Sequence, residues 1–437
     1  MTLETDAHAE LVQRDPSLPG LRLLFEPARL AQVLAAHSGV PLSSIVPLYI
    51  RYKRRTSCLV GYRVAGPQGF SHLYAKAFRP AADAKFEKGL TRGAVPTWLG
   101  PGPLLLRDSA VTVWAHPNDA KLPMLRHVAD GEGRAVLLRR APSDVKESAS
   151  TPFRMLSYKP ERRFVAEMRQ GDPSARPAVL KMYTAGGYEE ARARATGVTS
   201  REVLRVPNRL ARDSRRHLLL FEWLPGRPAA DLVASKEPLG VQLAFVGQAL
   251  AELHAQPLKP STPPCLSYDL ETVGTVISEV EFLFPRLGGL LKRLRACLGD
   301  MSPELRHPVR PVHGDFHLRQ VLLSTATVSF VDFDRAGGGP AVGDIAYCRA
   351  HLEREVLDGL LSRGRADDVM EEILSGYGRV RQRPCTSALD IYTAAALALL
   401  LPEPFRQCRP DAFDLTAGIL DRALGLLTRA ASTTALS

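Results

Sequence analysis

The feature that most narrows the folds open to this chain is a succession of elements that occurs twice. From Tyr49, the stretch YIRYKRRTSCLVGYRVAGPQGFSHLYAKAF alternates through one strand, breaks at a Gly/Pro turn and resumes in a strand carrying Lys76. From Met155, MLSYKPERRFVAEMRQGDPSARPAVLKMY repeats strand, turn and lysine-bearing strand, with YEEARARATG following as a helix and LARDSRRHLLLFEWLPG after it. Tyr52-Lys53 aligns with Tyr158-Lys159, Lys76 with Lys181, and Arg107-Asp108-Ser109 with Arg212-Asp213-Ser214, at an offset of about 105 residues. Two copies are too few for a solenoid, so the repeat predicts two related small sheets, side by side or stacked, ahead of a larger C-terminal domain. A basic helical patch is expected after the first lysine strand.

Beyond Pro225-Gly226 the pattern changes to helices. Leu239 to His254 is apolar at helical spacing through Leu243, Val246, Leu250 and Leu253, and the proline-rich loop after it cannot continue a helix. Residues 270–298 and 340–378 read as further helices, Ser387 to Leu401 and Asp411 to Ala430 as two more, and Pro27 to His37 as an N-terminal one. Among the C-terminal helices lies one strand-rich island, PVHGDFHLRQVLLSTATVSFVDFDRAGGGPAVGD, from Pro311 to Asp344. Its runs Gln320 to Leu323 and Val328 to Val331 flank a polar turn, the pattern of a hairpin. Asp315 enters that hairpin and Asp332 leaves it. Carboxylates brought that close repel unless a cation or a proton joins them, which suggests a divalent metal.

Composition excludes several classes. The chain has 437 residues, 45% of them apolar, enough for a two-lobed unit or for two or three domains. Six cysteines, Cys58, Cys265, Cys297, Cys348, Cys385 and Cys408, lack CxxC spacing, which argues against zinc and against a disulfide scaffold and fits a reducing cytoplasm. The N-terminus lacks the basic start and apolar core of a signal peptide, and the longest apolar run, Ala394 to Leu401, is too short to span a bilayer, so no membrane role is expected. The net charge of +11 is lopsided: the first 226 residues carry 35 basic and 21 acidic side chains, the rest 22 and 25. That half either favours a phosphate-bearing ligand or simply scatters surface arginine. Nucleic acid is not expected, because no aromatic-interleaved basic motif accompanies the charge.

His313-Gly314-Asp315-Phe316-His317, with Val331-Asp332-Phe333-Asp334 after the hairpin and Gly343-Asp344 beyond, resembles the catalytic region of the aminoglycoside phosphotransferase and choline kinase family. Lys181 lies in a strand similar to that of the family's nucleotide lysine, and Glu222-Trp223-Leu224-Pro225-Gly226 resembles the hinge between its lobes. The resemblance implies an α+β, two-lobed protein-kinase-like fold with an extra N-terminal module that duplicates the small-lobe sheet. Residues 1–150 would form that module, 151–226 the nucleotide-binding lobe and hinge, and 227–437 a mainly helical lobe with the catalytic loop and acceptor site.

It also implies an ATP-dependent transfer of phosphate, or transfer from another nucleoside triphosphate, to a small molecule's hydroxyl of aminoglycoside, choline or sugar type. Asp315 would be the catalytic base, because an attacking alcohol needs a carboxylate near its proton. Asp332 and Gln320 would hold Mg2+, a hard cation that takes oxygen ligands. Lys181 would reach phosphate oxygens, steadied by Glu190 or, as the alternative, Glu189. Glu222 and Leu224 would line the nucleotide from the hinge, and Arg162, in the turn of the second hairpin with Lys159 and Arg163, would stand over the phosphates; a solvated basic turn is the competing reading. His313 and His317 would brace the loop, and Asp344 would cap the helix that follows.

One departure bears on activity: the family has Asn five places after the catalytic Asp, and this chain has Gln320. Gln320 and the surplus first copy, whose Lys76 has no HGD partner, motivate a second class, a catalytically inactive pseudokinase acting as a nucleotide-binding or regulatory module. A metallophosphoesterase is disfavoured, since no downstream N-H-[DE] is present. A cationic acceptor would call for acidic residues near Asp315, for which the C-terminal region offers Asp367, Asp368, Glu371, Glu372, Asp390, Glu403, Asp411 and Asp414. The oligomeric state is not legible.

Overall fold

A computed structural model of the chain describes residues 6–67, 69–80, 93–169, 177–194, 197–235, 238, 240–259, 262–265, 270–301, 307–325 and 327–434. The basic helical patch expected after Lys76 lies largely outside them. The chain divides into two compact units, one of Met1–Tyr188, Arg209–Trp223 and Pro404–Ala412, the other of Glu189–Asn208, Leu224–Glu403 and Phe413–Ser437.

The first unit holds two five-stranded antiparallel sheets. Strands β1 (Ser44–Lys53), β2 (Ser57–Gly66), β3 (Gly69–Phe78), β4 (Leu104–Leu106) and β5 (Val111–Ala115) are arranged β1-β2-β3-β5-β4. The second sheet uses β6 (Arg154–Lys159), β7 (Arg163–Met168) and β8 (Ala178–Tyr183); then, after a short β9 (Leu204–Arg205) of the other unit, β10 (Arg209–Asp213) and β11 (Leu218–Glu222). Its order, β6-β7-β8-β11-β10, is that of the first sheet. The register agrees as well. Lys76 stands opposite Leu59 and Thr112, Lys181 opposite Val165 and Leu219.

The duplication reaches further back than the strands. In the first copy Asp15 accepts hydrogen bonds from the Tyr52 hydroxyl at 2.5 Å and the Arg55 backbone N–H at 2.8 Å. In the second, Asp119 accepts from Tyr158 and from the Glu161 N–H, both at 2.8 Å. Arg55 and Glu161 occupy the same place in their turns, both with positive φ, 53° and 56°. The two aspartates open similar segments, DPSLPGLR and DAKLPMLR. This shared D-x-x-L-P-x-L-R pattern is the signal that strand-based reading passes over.

Alternation along β8 decides which face of the second sheet is apolar. Leu180 and Met182 point to one side, where they join Phe164, Ala166, Leu218 and Leu220 against Leu122, Leu125, Leu137 and Leu138. Burying each such leucine contributes about 1.5–3 kcal/mol. Parity then puts Lys181 on the opposite face.

The second unit is mainly helical. Its helices include α1 (Ala185–Arg194, ending in this unit), α2 (Gly240–His254), α3 (Leu270–Leu283), α4 (Gly288–Asp300), α5 (Ala341–Leu357), α6 (Arg363–Gly378), α7 (Thr386–Leu400) and α8 (Ala412–Thr434). Helices α2 and α6 cross where glycines let the backbones touch: a Cβ on Gly247 would meet the Ile373 carbonyl at 1.9 Å, and one on Gly376 the Ala244 carbonyl at 1.7 Å. The helical stretch expected over 270–298 holds two helices, because Pro285 opens a short 3₁₀ turn between them. The one expected over 340–378 also divides, with Ser362 capping α6 by accepting from the Arg365 N–H at 3.2 Å.

Asp390 is not available to a cationic acceptor. It is buried and takes Arg349 at 2.8 Å and Arg429 at 2.6 Å. Thr386–Arg406 is long and apolar enough by composition to cross a membrane, but 89% of its apolar window is buried inside the protein. A core helix satisfies the same test.

Candidate active site

The strand-rich island folds as its pattern predicts. Strand β13 (Val309–Val312) pairs with β16 (Gly337–Pro340), and between them β14 (Val321–Leu323) and β15 (Val328–Phe330) form the hairpin, Val321 opposite Phe330 and Leu323 opposite Val328. Ser324 closes its turn, the hydroxyl bonding to the Thr327 carbonyl at 3.0 Å. A short strand β12 (Arg227–Pro228) flanks β14, and β9 flanks β15 in parallel.

The loop His313–His317 leaves β13 held from behind by Asp344, which accepts from the backbone N–H of His313 at 2.7 Å and of Gly314 at 2.9 Å. His254 stands 3.1 Å from the same carboxylate, and its other ring nitrogen 3.1 Å from the Tyr377 hydroxyl. Burial pushes the Asp344 carboxyl upward, but the hydrogen bond with His254 and the electrostatics of His254 and His313, with the bond from the His313 N–H, together hold the group below the usual carboxylate range. Asp344 is therefore the clamp of the loop. It is not the helix cap expected of it, since Pro340 occupies the N-cap of α5. Sequence reading missed His254, which lies on an apolar helix face where a core histidine is the ordinary reading.

Gly314 has φ +76°, and a Cβ there would lie 2.4 Å from the Arg335 carbonyl and 2.9 Å from Cys265 Sγ. Only glycine fits the turn that delivers Asp315. Arg335 Nη1 stands 3.5 Å from the Asp315 carboxylate, which is 25% exposed, and Tyr347 hydrogen-bonds to it. Burial and Asp315 together raise the Tyr347 hydroxyl far above its ordinary value, so it remains a donor. His313 braces the loop through Nε2, 2.9 Å from the Val331 carbonyl. His317 makes no ring hydrogen bond among the described residues: its buried Nδ1 has no partner among them, its ring packs on His351 at 4.4 Å, and burial lowers its pKa to about 4 against the pull of Asp315.

Asp332 follows β15 in a left-handed conformation, φ 66°. The Val331 N–H bonds to the Gln320 carbonyl at 3.0 Å, so the backbones carrying Gln320 and Asp332 run side by side. Among the described residues no group of three or more His, Cys, Asp or Glu side chains gathers into a metal cage. One carboxylate and one amide nonetheless suit magnesium, which keeps several waters and takes phosphate oxygens for its remaining positions.

Asp315, Gln320, Asp332, Glu190 and Leu224 belong to the second unit, Lys181, Arg162 and Glu222 to the first. Lys181 is buried on β8, its ammonium 5.6 Å from the centre of the Phe221 ring. Arg162 is exposed in the β6–β7 turn, and Glu222 ends β11. The boundary between units falls at Trp223 and Leu224, inside the hinge-like stretch. Glu190 is exposed on α1, and its neighbour Glu189 pairs with Arg192 at 2.6 Å. The same helix is tied by Arg194, which donates to the Ala336 carbonyl at 3.0 Å.

Residues 126–382, more than half of the chain, match the family model for APH, the phosphotransferase enzyme family. The chain belongs to that family. This phosphotransferase has the α+β, two-lobed kinase-like fold, with the sheet of β1–β5 as an addition to it. No curated protein sequence matches it. Among solved structures it is similar to a thermostable mutant of aminoglycoside phosphotransferase APH(4)-Ia in complex with ADP and hygromycin B, at 16% identity and TM-score 0.48, covering 65% of this chain and 96% of that one. It is also similar to a choline/ethanolamine kinase family protein from Mesorhizobium loti (14% identity, TM-score 0.46, 68% and 93% covered). A third is a macrolide 2'-phosphotransferase from Brachybacterium faecium (18%, 0.42, 61% and 91%).

Proposed function

We propose that this phosphotransferase moves the terminal phosphate of ATP, or of another nucleoside triphosphate, to a hydroxyl of a small molecule. The observation that carries the reading is the mounting of Asp315, on a glycine-dependent loop fixed by Asp344 and leading into the hairpin from which Asp332 emerges. Asp315 orients the acceptor hydroxyl and takes its proton as transfer proceeds, while Arg335 and Tyr347 fix the direction of its carboxylate. Lys181 and Arg162 meet phosphate oxygens, with Glu190 supporting the lysine, and Glu222 and Leu224 receive the base at the hinge. Asp332 and Gln320 hold Mg2+, which when bound neutralises charge on the phosphates. The acceptor class is aminoglycoside-, choline- or sugar-like, and six scattered cysteines without CxxC spacing suit a cytoplasmic setting.

The test is ADP release by the full chain with Mg2+ and ATP across a panel of these acceptors. Turnover with one of them, lowered at least about 100-fold in Asp315→Asn, is the expected result. Turnover indifferent to Asp315→Asn would refute the assignment. Nucleotide binding without turnover for every acceptor would favour the pseudokinase reading, which Gln320 motivates. Gln320→Asn is expected to keep activity within a few-fold and Gln320→Ala to lower it by about tenfold or more, checked by the Mg2+ concentration needed for half-maximal rate.

A further inference from the structure

The β6–β7 turn is seated on the first sheet. Glu161, at its tip, has a side chain only 2% exposed, and both carboxylate oxygens lie 2.8 Å from Lys76 Nζ. Arg51 donates to the same carboxylate at 2.8 Å and to the Pro160 carbonyl at 3.2 Å, and Lys121 stands 3.8 Å away. Pro160 packs over Gly61, a Cβ on which would lie 3.7 Å from the proline ring. From below, Asp119 takes the Glu161 N–H and the Tyr158 hydroxyl. Glu161 adopts φ 56°, a conformation that costs an ordinary residue on the order of 1–2 kcal/mol and persists where its surroundings over-determine it.

Lys76 holds in the first sheet the place that Lys181 holds in the second. In a nucleotide lobe a lysine at that place faces phosphate oxygens. Here two carboxylate oxygens occupy that position, supplied from within the chain. A buried carboxylate held by Lys76 and Arg51, both largely buried, is stable only as a matched set, because desolvation penalises any member left alone.

We propose that the first sheet is a clamp on the nucleotide loop: Lys76 and Arg51 grip Glu161 and so fix the turn Lys159–Arg163, with Arg162, in the form that receives the phosphates. This rests on the function proposed above. Lys76, Arg51 and Glu161 are positioning residues. None of them touches the nucleotide, and the first sheet binds none of its own.

The experiment measures Mg2+–ADP affinity by calorimetry, with KM for ATP, kcat and the thermal midpoint in parallel, on the full chain and on Lys76→Met, Glu161→Gln, their double variant and Lys76→Arg. Each neutral single variant is expected to weaken Kd and KM about tenfold with kcat within about twofold, and the double variant to be no worse than either single, because all three cut one contact. Lys76→Arg, which keeps the charge, is expected to restore most of the affinity. A lowered thermal midpoint with unchanged Kd in both single variants would overturn the clamp, as would additive losses in the double variant. If Lys76→Met does not fold, Glu161→Gln keeps the side-chain shape and carries the same test. A wild-type chain that binds no nucleotide overturns the proposed function and the clamp together; one that binds it, with variants that bind equally, overturns the clamp alone.

Discussion

The two sheets of the first unit are one topological object with different contents at one position. Strand order, the lysine on the third strand, the left-handed residue at the hairpin tip and the aspartate beneath it are common to both. At the tip they part. Arg55 in the first copy is exposed; Glu161 in the second is buried against Lys76. Strand order and hairpin-tip geometry are shared, while one side chain decides whether a turn faces water or docks on its neighbour. A carboxylate at that tip finds a lysine on the other sheet, whereas an arginine there would meet only like charge.

The comparison is broken most easily at the lysines. If the copies have divided into a nucleotide sheet and a clamp, Lys181→Ala should lower kcat/KM by about 100-fold or more, a loss of roughly 3 kcal/mol of transition-state stabilisation, with the defect in kcat. Lys76→Ala should instead raise the nucleotide KM by about tenfold and spare kcat. Steady-state kinetics on both variants decide it. The reverse pattern, with Lys76→Ala abolishing nucleotide binding and Lys181→Ala leaving it intact, would assign the nucleotide to the first sheet.

Much of this division was legible in the residues. Alternating strands, the lysines and the Arg-Asp-Ser pairs announced two related sheets, because strand period and turn chemistry are local properties. The hairpin between Asp315 and Asp332 was legible for the same reason. The contacts that give these pieces meaning were not. Asp344 looked like a helix cap until the fold put it behind His313 and Gly314, and nothing in GVQLAFVGQALAELH distinguishes His254 from an ordinary core histidine. Glu161 sat in a turn that read as basic, flanked by Lys159, Arg162 and Arg163. Its partners Arg51 and Lys76 lie 110 and 85 positions earlier, a separation that no local pattern reports.

The paired aspartates offer a sharper contrast at smaller amplitude. Asp119 is buried and accepts from the N–H groups of Lys121, Leu122 and Glu161 and from Tyr158. Asp15 is equally buried and accepts from Ser17, Tyr52 and the Arg55 N–H. Replacing either by alanine strands buried donors, at about 1–3 kcal/mol for a group left unsatisfied, so each variant should lose roughly 2–4 kcal/mol in urea unfolding. The difference lies in the second readout. Asp119→Ala should also weaken nucleotide affinity by releasing the Glu161 turn, and Asp15→Ala should not. Equal effects on affinity would mean that the two turns are functionally alike.

The smallest effect tests the seam between the copies. His116, at the end of the first sheet, has its ring 5.8 Å from Tyr158 and 6.0 Å from Phe164 of the second. Burial, with a smaller contribution from His72, lowers its pKa from 6.5 to about 4, and burial lowers that of His72 as well. Between those limits the native ring stays neutral while the unfolded one takes up a proton, so the unfolded state binds more protons and stability rises with pH. The stabilisation is complete above about pH 6.5 and is lost as pH falls toward about 4, with a slope from one imidazole of at most ~1.4 kcal/mol per pH unit. Urea unfolding between these limits should show that slope in the wild type and a flatter one in His116→Phe, which keeps the aromatic contacts and removes the proton site. An unchanged slope would place the titration elsewhere and leave the seam indifferent to acid.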